Sequence, residues 1–142
     1  MLNQRKNQKM KIINKDSVNV LIFTLREKTT ISNPTYLFEF KNESTKEYKY
    51  CIMANTSTNT NRYDKFSFTE GVDNALSGSL ILKGLGFWTY CVYQQSSATN
   101  LDPILANGIV ERGIIRLINQ SSVPTFTEHI PLPKTNIVYQ PS

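Results

Sequence analysis

The chain has 142 residues, 39% hydrophobic and 19% charged, which is enough to build one core and too apolar for a disordered polymer. Seven Tyr and seven Phe, with many Val, Ile and Thr, favour strands over helices, because branched and aromatic side chains suit a pleated, half-buried surface. Its apolar runs fall short of the ~20 residues that a membrane-spanning helix needs.

The net charge of +5 is unevenly placed. Arg5, Lys6, Lys9, Lys11 and Lys15 against Asp16 put +4 in the first sixteen residues and leave +1 for the remainder. We read residues 1–16 as a basic N-terminal arm with Arg5, Lys6, Lys9 and Lys11 as its electrostatic groups. Such an arm attracts nucleic acid or an acidic partner through a salt-screened field; the plainer reading is a solvated terminus. Nucleic-acid contact is expected through this arm or not at all. Met1 to Met10 lack the apolar stretch of a secretory signal, so synthesis in the cytoplasm is expected.

Residues 18–25 form the first strand, with Val18, Val20 and Ile22 on one face and Leu21, Phe23 and Leu25 on the other. Asn33-Pro34 reads as a turn, since the residue before proline is pushed out of the helical region. Residues 36–40 form a second strand with Tyr36, Phe38 and Phe40 on one side. Residues 42–45 link it to 47–54, where Tyr48, Tyr50 and Ile52 alternate with Lys49, Cys51 and Met53, and the first set is expected to face the core. The polar stretch 55–61 is a surface loop. Strands follow at 65–69, 76–82 and 87–94, separated by the loop 70–75 and by Gly84 and Gly86; Trp88, Tyr90 and Val92 are expected inside. Residues 100–108 carry one helical turn, capped by Asp102 with Pro103 at its first position. The last strand, 109–118, contains Gly113, which suggests a bulge or bend.

Strands at this spacing predict an all-β fold, an immunoglobulin-like β-sandwich of about seven to nine strands over residues 17–119. From residue 120 the character changes. Pro124, Pro131, Pro133 and Pro141 forbid a continuous helix or a central strand, so residues 120–142 read as an extended Pro-rich C-terminal arm. Its apolar residues need cover. Phe126, Ile137, Val138 and Tyr139 are candidate assembly contacts that would add to the sheet edge of a neighbouring subunit.

The search for catalytic chemistry is brief. The single histidine, His129, falls in the C-terminal arm, where a surface or docking residue is expected rather than a general base. G-x-S-x-G, a phosphate-cradling glycine loop and H-E-x-x-H do not occur in the sequence. Asp64, Glu70, Asp73, Asp102 and Glu111 are scattered carboxylates, and nothing in their spacing pairs them. Cys51 and Cys91 sit in separate strands and are expected to be free thiols. Two Cys and one His are too few for a closed four-ligand zinc site of these groups. Neither an enzyme nor a cofactor or metal site is expected. Tyr36, Tyr48, Tyr50, Trp88, Tyr90 and Tyr93 could make a stacking platform for sugar or single strands, but aromatics at period two are more often core or cross-strand pairs.

Two local resemblances add to this. Gly86, Trp88 and Tyr90 resemble the structural corner of immunoglobulin-like domains, with Trp88 where those domains carry Tyr; the hydroxyl hydrogen bond of that corner is therefore in question. The blocks Thr24–Thr30, Asn33–Phe40 and Arg62–Phe66, with Gly86–Tyr90, Thr99–Pro103, Glu111 and Gly113, resemble a family of small proteins of tailed bacteriophages, the crAss-like phages and relatives that infect Bacteroidota. The resemblance runs from about Val18 to Ile118. It implies a virion structural protein, an auxiliary capsid or neck or tail ring component, located in the virion and partnered by capsid, portal or tail proteins in a homo- or hetero-oligomer. The alternative is a glycan- or host-receptor-binding decoration or fibre module that would use the loops 55–61 and 96–103.

Overall fold

The computed structural model describes residues 9–119. Among them are eight strands: β1 (Lys9–Asn14), β2 (Val18–Phe23), β3 (Thr35–Asn42), β4 (Tyr48–Ile52), β5 (Asp64–Glu70), β6 (Ser79–Leu80), β7 (Gly86–Gln95) and β8 (Ile109–Ile118). They form a five-stranded sheet, β1-β8-β7-β3-β4, and a three-stranded sheet, β2-β5-β6. The fold is all-β with two sheets, as the composition and strand spacing predict.

Aromatic side chains hold the sheets together. Phe23 and Phe66 project from the small sheet, and Tyr36, Phe38 and Tyr90 from the large one. Phe66 meets Phe38 at 5.0 Å and Tyr36 at 6.0 Å between ring centroids, while Phe23 meets Tyr90 at 5.6 Å and Phe38 at 5.7 Å. Most of these pairs are edge-to-face, the arrangement the ring quadrupole favours, worth ~0.5–1.5 kcal/mol beyond the area each ring buries. Phe40 and Phe68 repeat the contact one layer further along, at 5.3 Å. The period-two patterns of residues 36–40 and 65–69 therefore encode the two halves of one interface.

Several boundaries differ from the sequence reading. Residues 9–14 belong to the folded domain rather than to a basic arm: β1 pairs in parallel with β8, and Ile13 is fully buried. The lysine-rich composition hid this, because only one face of β1 meets the core. Lys11 is built into the fold as well, with its ammonium 4.6 Å from the centre of the Phe23 ring and donating to the Ile22 carbonyl. The expected strand at 76–82 is mostly a 3-10 turn, Ala75–Ser77, followed by the two residues of β6. Gly78 breaks it. Its φ is +74°, and a Cβ there would lie 2.9 Å from Met53 Cγ and 3.1 Å from the Ser67 carbonyl oxygen. The helical turn is a 3-10 turn at Pro103–Leu105, with the Asp102 carboxylate accepting from the Ile104 amide at 3.0 Å.

The corner at Gly86, Trp88 and Tyr90 closes by a different bond. The fully buried Trp88 donates its indole N–H to the Gly84 carbonyl at 3.0 Å, so a nitrogen donor replaces the tyrosine hydroxyl. Tyr90 is buried and donates to Glu111 Oε2 at 2.8 Å; burial first, then this carboxylate, pushes its phenol pKa up. Gly113 faces Tyr90 across the β7–β8 ladder. The ladder irregularity, however, lies at Val92/Tyr93, opposite Glu111 and Ile109 rather than at Gly113. Gly113 is required for a different reason: a Cβ there would come within 2.5 Å of the Tyr90 ring.

Gly113→Ala should therefore destabilise the domain by about 1–3 kcal/mol through overpacking, read as a lower urea midpoint. An unchanged midpoint would contradict the ring-over-glycine packing.

Candidate interaction surfaces

The strands β3, β4, β5 and β7 bring three connections to one end of the domain: residues 24–34, 53–63 and 96–108. Each is held from below by a buried polar side chain. Gln94 Oε1 accepts from the Thr30 amide at 2.8 Å and its Nε2 donates to Thr30 Oγ1 at 2.8 Å. Asp64 accepts from the Leu25 amide at 2.8 Å and from Asn55 Nδ2 at 2.7 Å. Gln95, 1% exposed, donates to the Ser97 and Asn100 carbonyls, and its Oε1 accepts from Asn100 Nδ2 at 2.7 Å.

The third connection is the most tightly determined. Ser97 Oγ accepts from the Thr99 and Asn100 amides. Asn100 Oδ1 accepts from the Asp102 amide, and the backbone of Gln94 bonds to Asn107 and Gly108. This network ends in the Pro103–Leu105 turn, which places Ile104 at 86% exposure and Leu105 at 70%. Two large apolar side chains thus stand in water on a loop whose backbone is fixed. The sequence reading took residues 100–108 as a capped turn and gave these two side chains no role; their signal was an Ile-Leu pair directly behind Asp-Pro, too short to be a core element.

A second surface is the outer face of the five-stranded sheet. Register places Glu39 beside Tyr50 and Cys91, Lys41 beside Tyr48 and Thr89, and Arg112 beside Cys91. All of these except Tyr50, together with Tyr93, line a cleft of about 320 Å3, with Gly113 also in its lining. Tyr48 and Tyr50 are parallel to within 8° at 6.3 Å, and Lys41 Nζ sits 5.6 Å from the Tyr48 ring centre. Tyr93 donates to Glu39 Oε2 at 3.4 Å, and Thr89 donates to Glu43 at 3.0 Å. The phenol of Tyr50 is pushed up by burial and by Glu39, and that of Tyr93 by burial and then Cys91 and Glu39.

The aromatic residues singled out from sequence therefore divide. Tyr36, Trp88 and Tyr90 are buried between the sheets, whereas Tyr48, Tyr50 and Tyr93 face outward. In β4 this reverses the expected faces: Cys51 pairs with Phe38 and is fully buried in the core, and Tyr48 is exposed. As an edge strand with aromatic residues on one side and Cys51 and Met53 on the other, β4 offered an apolar set on both faces, and the core took the smaller one. Cys51 points inward while Cys91, beside Glu39, points outward, so the two thiols lie on opposite faces of one sheet; both are free.

The carboxylates do not converge. Asp64 and Glu70 occupy opposite ends of β5, about 20 Å apart at the strand rise, against the ~5–9.5 Å of a glycosidase pair. Glu70 accepts from the Asp16 and Leu82 amides and lies 3.6 Å from Lys15 Nζ. Asp102 caps its turn, and Asp73 is exposed. Arg5, Lys6, Phe126, His129, Ile137, Val138 and Tyr139 lie outside the described residues. Among the described residues no group of three or more His, Cys, Asp or Glu could hold a metal ion, and no helix is long and apolar enough to cross a membrane. No family model, curated protein or solved structure matches the chain.

Burial raises the pKa of both thiols, Cys51 the more so because it is enclosed. Raising a thiol pKa lowers the thiolate fraction at pH 8, and the thiolate is the species that reacts. Native protein should therefore react with a disulfide reagent on the order of tenfold or more slowly than unfolded protein, with Cys51 the slower site, and two thiols should appear in urea. Fast reaction at Cys51 in the native state would contradict its placement in the core.

Proposed function

We propose that the chain is a bacteriophage virion structural protein, an auxiliary capsid or neck or tail ring component. It would be made in the host cytoplasm, act by protein–protein contacts without catalysis or cofactor, and work inside the particle. The observation that carries this reading is the Ile104–Leu105 pair. Covering a Leu or Ile side chain is worth ~1.5–3 kcal/mol, and a loop already fixed by Gln95, Asn100 and Asp102 loses little freedom on docking. The domain thus offers a neighbour a preorganised apolar contact. The buried carboxylates support the non-catalytic side of the reading, since Asp64 and Glu70 are engaged with loop amides and Glu111 with Tyr90. The virion part of the proposal rests on the resemblance of the sequence blocks named above to small proteins of tailed phages.

Strand order supports an immunoglobulin-like class for the domain. In the sequence β8-β7-β3 we read the strands G, F and C of that fold, with β4 as C′ and the antiparallel pair β2–β5 as B and E. The corner on Trp88 sits near the start of β7, where strand F carries its corner residue. One departure is plain: residues 53–63 hold no strand in the place of D, and the short β6, which follows β5 in the chain, takes the position beside it.

Replacing both exposed residues, Ile104→Asp with Leu105→Asp, should shift the thermal midpoint by no more than a few degrees. The same change should reduce incorporation into phage particles at least tenfold, measured by quantitative mass spectrometry of purified virions. Normal incorporation of the variant would remove the docking role from this loop, and absence of the unmodified chain from purified particles would overturn the virion assignment.

A further inference from the structure

We propose that the cleft on the outer face of the five-stranded sheet is a carbohydrate-binding site that accepts a hexopyranose unit of a polysaccharide. The site is separate from the Ile104–Leu105 loop and does not depend on the virion reading.

The chemistry of the lining selects the ligand class. Glu39 supplies acceptors, Lys41 and Arg112 supply donors, and the hydroxyls of Thr89 and Tyr93, whose protons go to Glu43 and Glu39, supply further acceptors. A simple anion would meet the Glu39 carboxylate, and an apolar peptide would leave these groups without partners on desolvation, at ~1–3 kcal/mol for each polar group. A polyol suits the set, because every sugar hydroxyl both donates and accepts. The Tyr48 ring lines the cleft with Tyr50 stacked parallel beside it, and an aromatic ring packs against the C–H face of a pyranose as it does against other apolar surfaces. The volume of about 320 Å3 lies at the small end of the ~300–1,000 Å3 typical of ligand sites, which fits one or two rings rather than a protein surface.

The groups are also held in place. They stand on four adjacent strands, from β8 through β7 and β3 to β4. Glu39 is oriented by the Tyr93 hydroxyl, and Lys41 rests over Tyr48. Sites built on strands are more precise than sites built on loops. This differs from a glycan site on the loops 55–61 and 96–103: the loop end presents an apolar pair, while the sheet face presents the convergent polar and aromatic groups.

The test is an NMR titration of the full-length, isotope-labelled chain with cellohexaose, xylohexaose, maltohexaose, chitohexaose and α-1,6-mannohexaose, and with poly-glutamate as a non-carbohydrate probe. At least one oligosaccharide should give saturable shifts centred on Glu39, Tyr48, Tyr50, Thr89 and Arg112. Tyr48→Ala and Glu39→Gln, both at sites outside the core, should each weaken that binding about tenfold or more while the rest of the spectrum keeps its native dispersion. The proposal is overturned if none of the oligosaccharides binds, if the shifts map to residues 55–61 or 96–108, or if both variants bind as the parent does. A response to poly-glutamate alone would mark the face as a protein-docking surface and would equally overturn it. Particle incorporation is read separately, so failure here leaves the assembly role standing.

Discussion

Every connection between the described strands of this domain except β5–β6 is fastened by a buried polar side chain. Asn19 exchanges two hydrogen bonds with the backbone of Asn14 and so closes the β1–β2 turn. Asn42 serves the β3–β4 hairpin through the Ser44 and Thr45 amides and reaches the Lys83 carbonyl beyond β6. Asp64 and Gln94 do the same for β2–β3, Asp64 for β4–β5, Glu70 for β6–β7 and Gln95 for β7–β8; the β5–β6 connection is held by backbone bonds. All six residues are almost completely buried. A loop without secondary structure leaves backbone amides and carbonyls that must find partners, and a sandwich with only single helical turns has many of them. Drawing the partners from strand ends fixes the loops to the same framework that the aromatic interface holds together.

The two layers of the structure are linked by this arrangement. Interlocked rings of Phe23, Phe38, Phe66 and Tyr90 set the distance between the sheets, and the polar residues other than Gln95 occupy inward positions at the rim of that layer; Gln95 has the phase of Cys91 and Tyr93 and is buried beneath its own loop. Because core positions are spent on loop anchoring, apolar side chains stand elsewhere: Ile104 and Leu105 on the loop end, and Val18, Val20 and Ile22 on the outer face of β2. The outer face of the large sheet is the opposite case, with charged and tyrosine side chains above Leu37 and Ile52, which pair across β3 and β4 and are buried on that side. A rigid frame with chemically distinct outer surfaces follows from one rule about where the polar groups go.

Much of the frame was legible in the sequence. Alternation at 18–25, 36–40 and 87–94 separated the two faces of these strands and, at 87–94, named the buried one; 65–69 was placed as a strand carrying Phe66 and Phe68. β4 was misread because tyrosine, half apolar and half polar, satisfies either face. β1 was missed because basic composition outweighed Ile13, a single buried residue in an edge strand. The loop anchors left a readable trace that went unused: Asn19 shares a face with Leu21 and Phe23, Glu70 with Phe66 and Phe68, and Gln94 with Trp88, Tyr90 and Val92. A polar residue in phase with a core stripe must find a buried partner, and here the partner is the nearest loop. The cleft was not legible, since it assembles side chains from four strands whose register only the fold supplies.

Native-state hydrogen exchange on Gln95→Leu tests most directly the claim that buried strand-end side chains fix the loops. The substitution keeps the side-chain size and removes only the bonds to Ser97 and Asn100. The account predicts that exchange at the Asn100, Ile104, Leu105 and Ala106 amides accelerates by about tenfold to a hundredfold, the equivalent of one or two lost buried hydrogen bonds, while the β3 and β7 ladders keep their protection relative to one another. Unchanged exchange in residues 97–106, or an equal acceleration across the whole domain, would show that the loop is held by something other than Gln95 and would contradict the account.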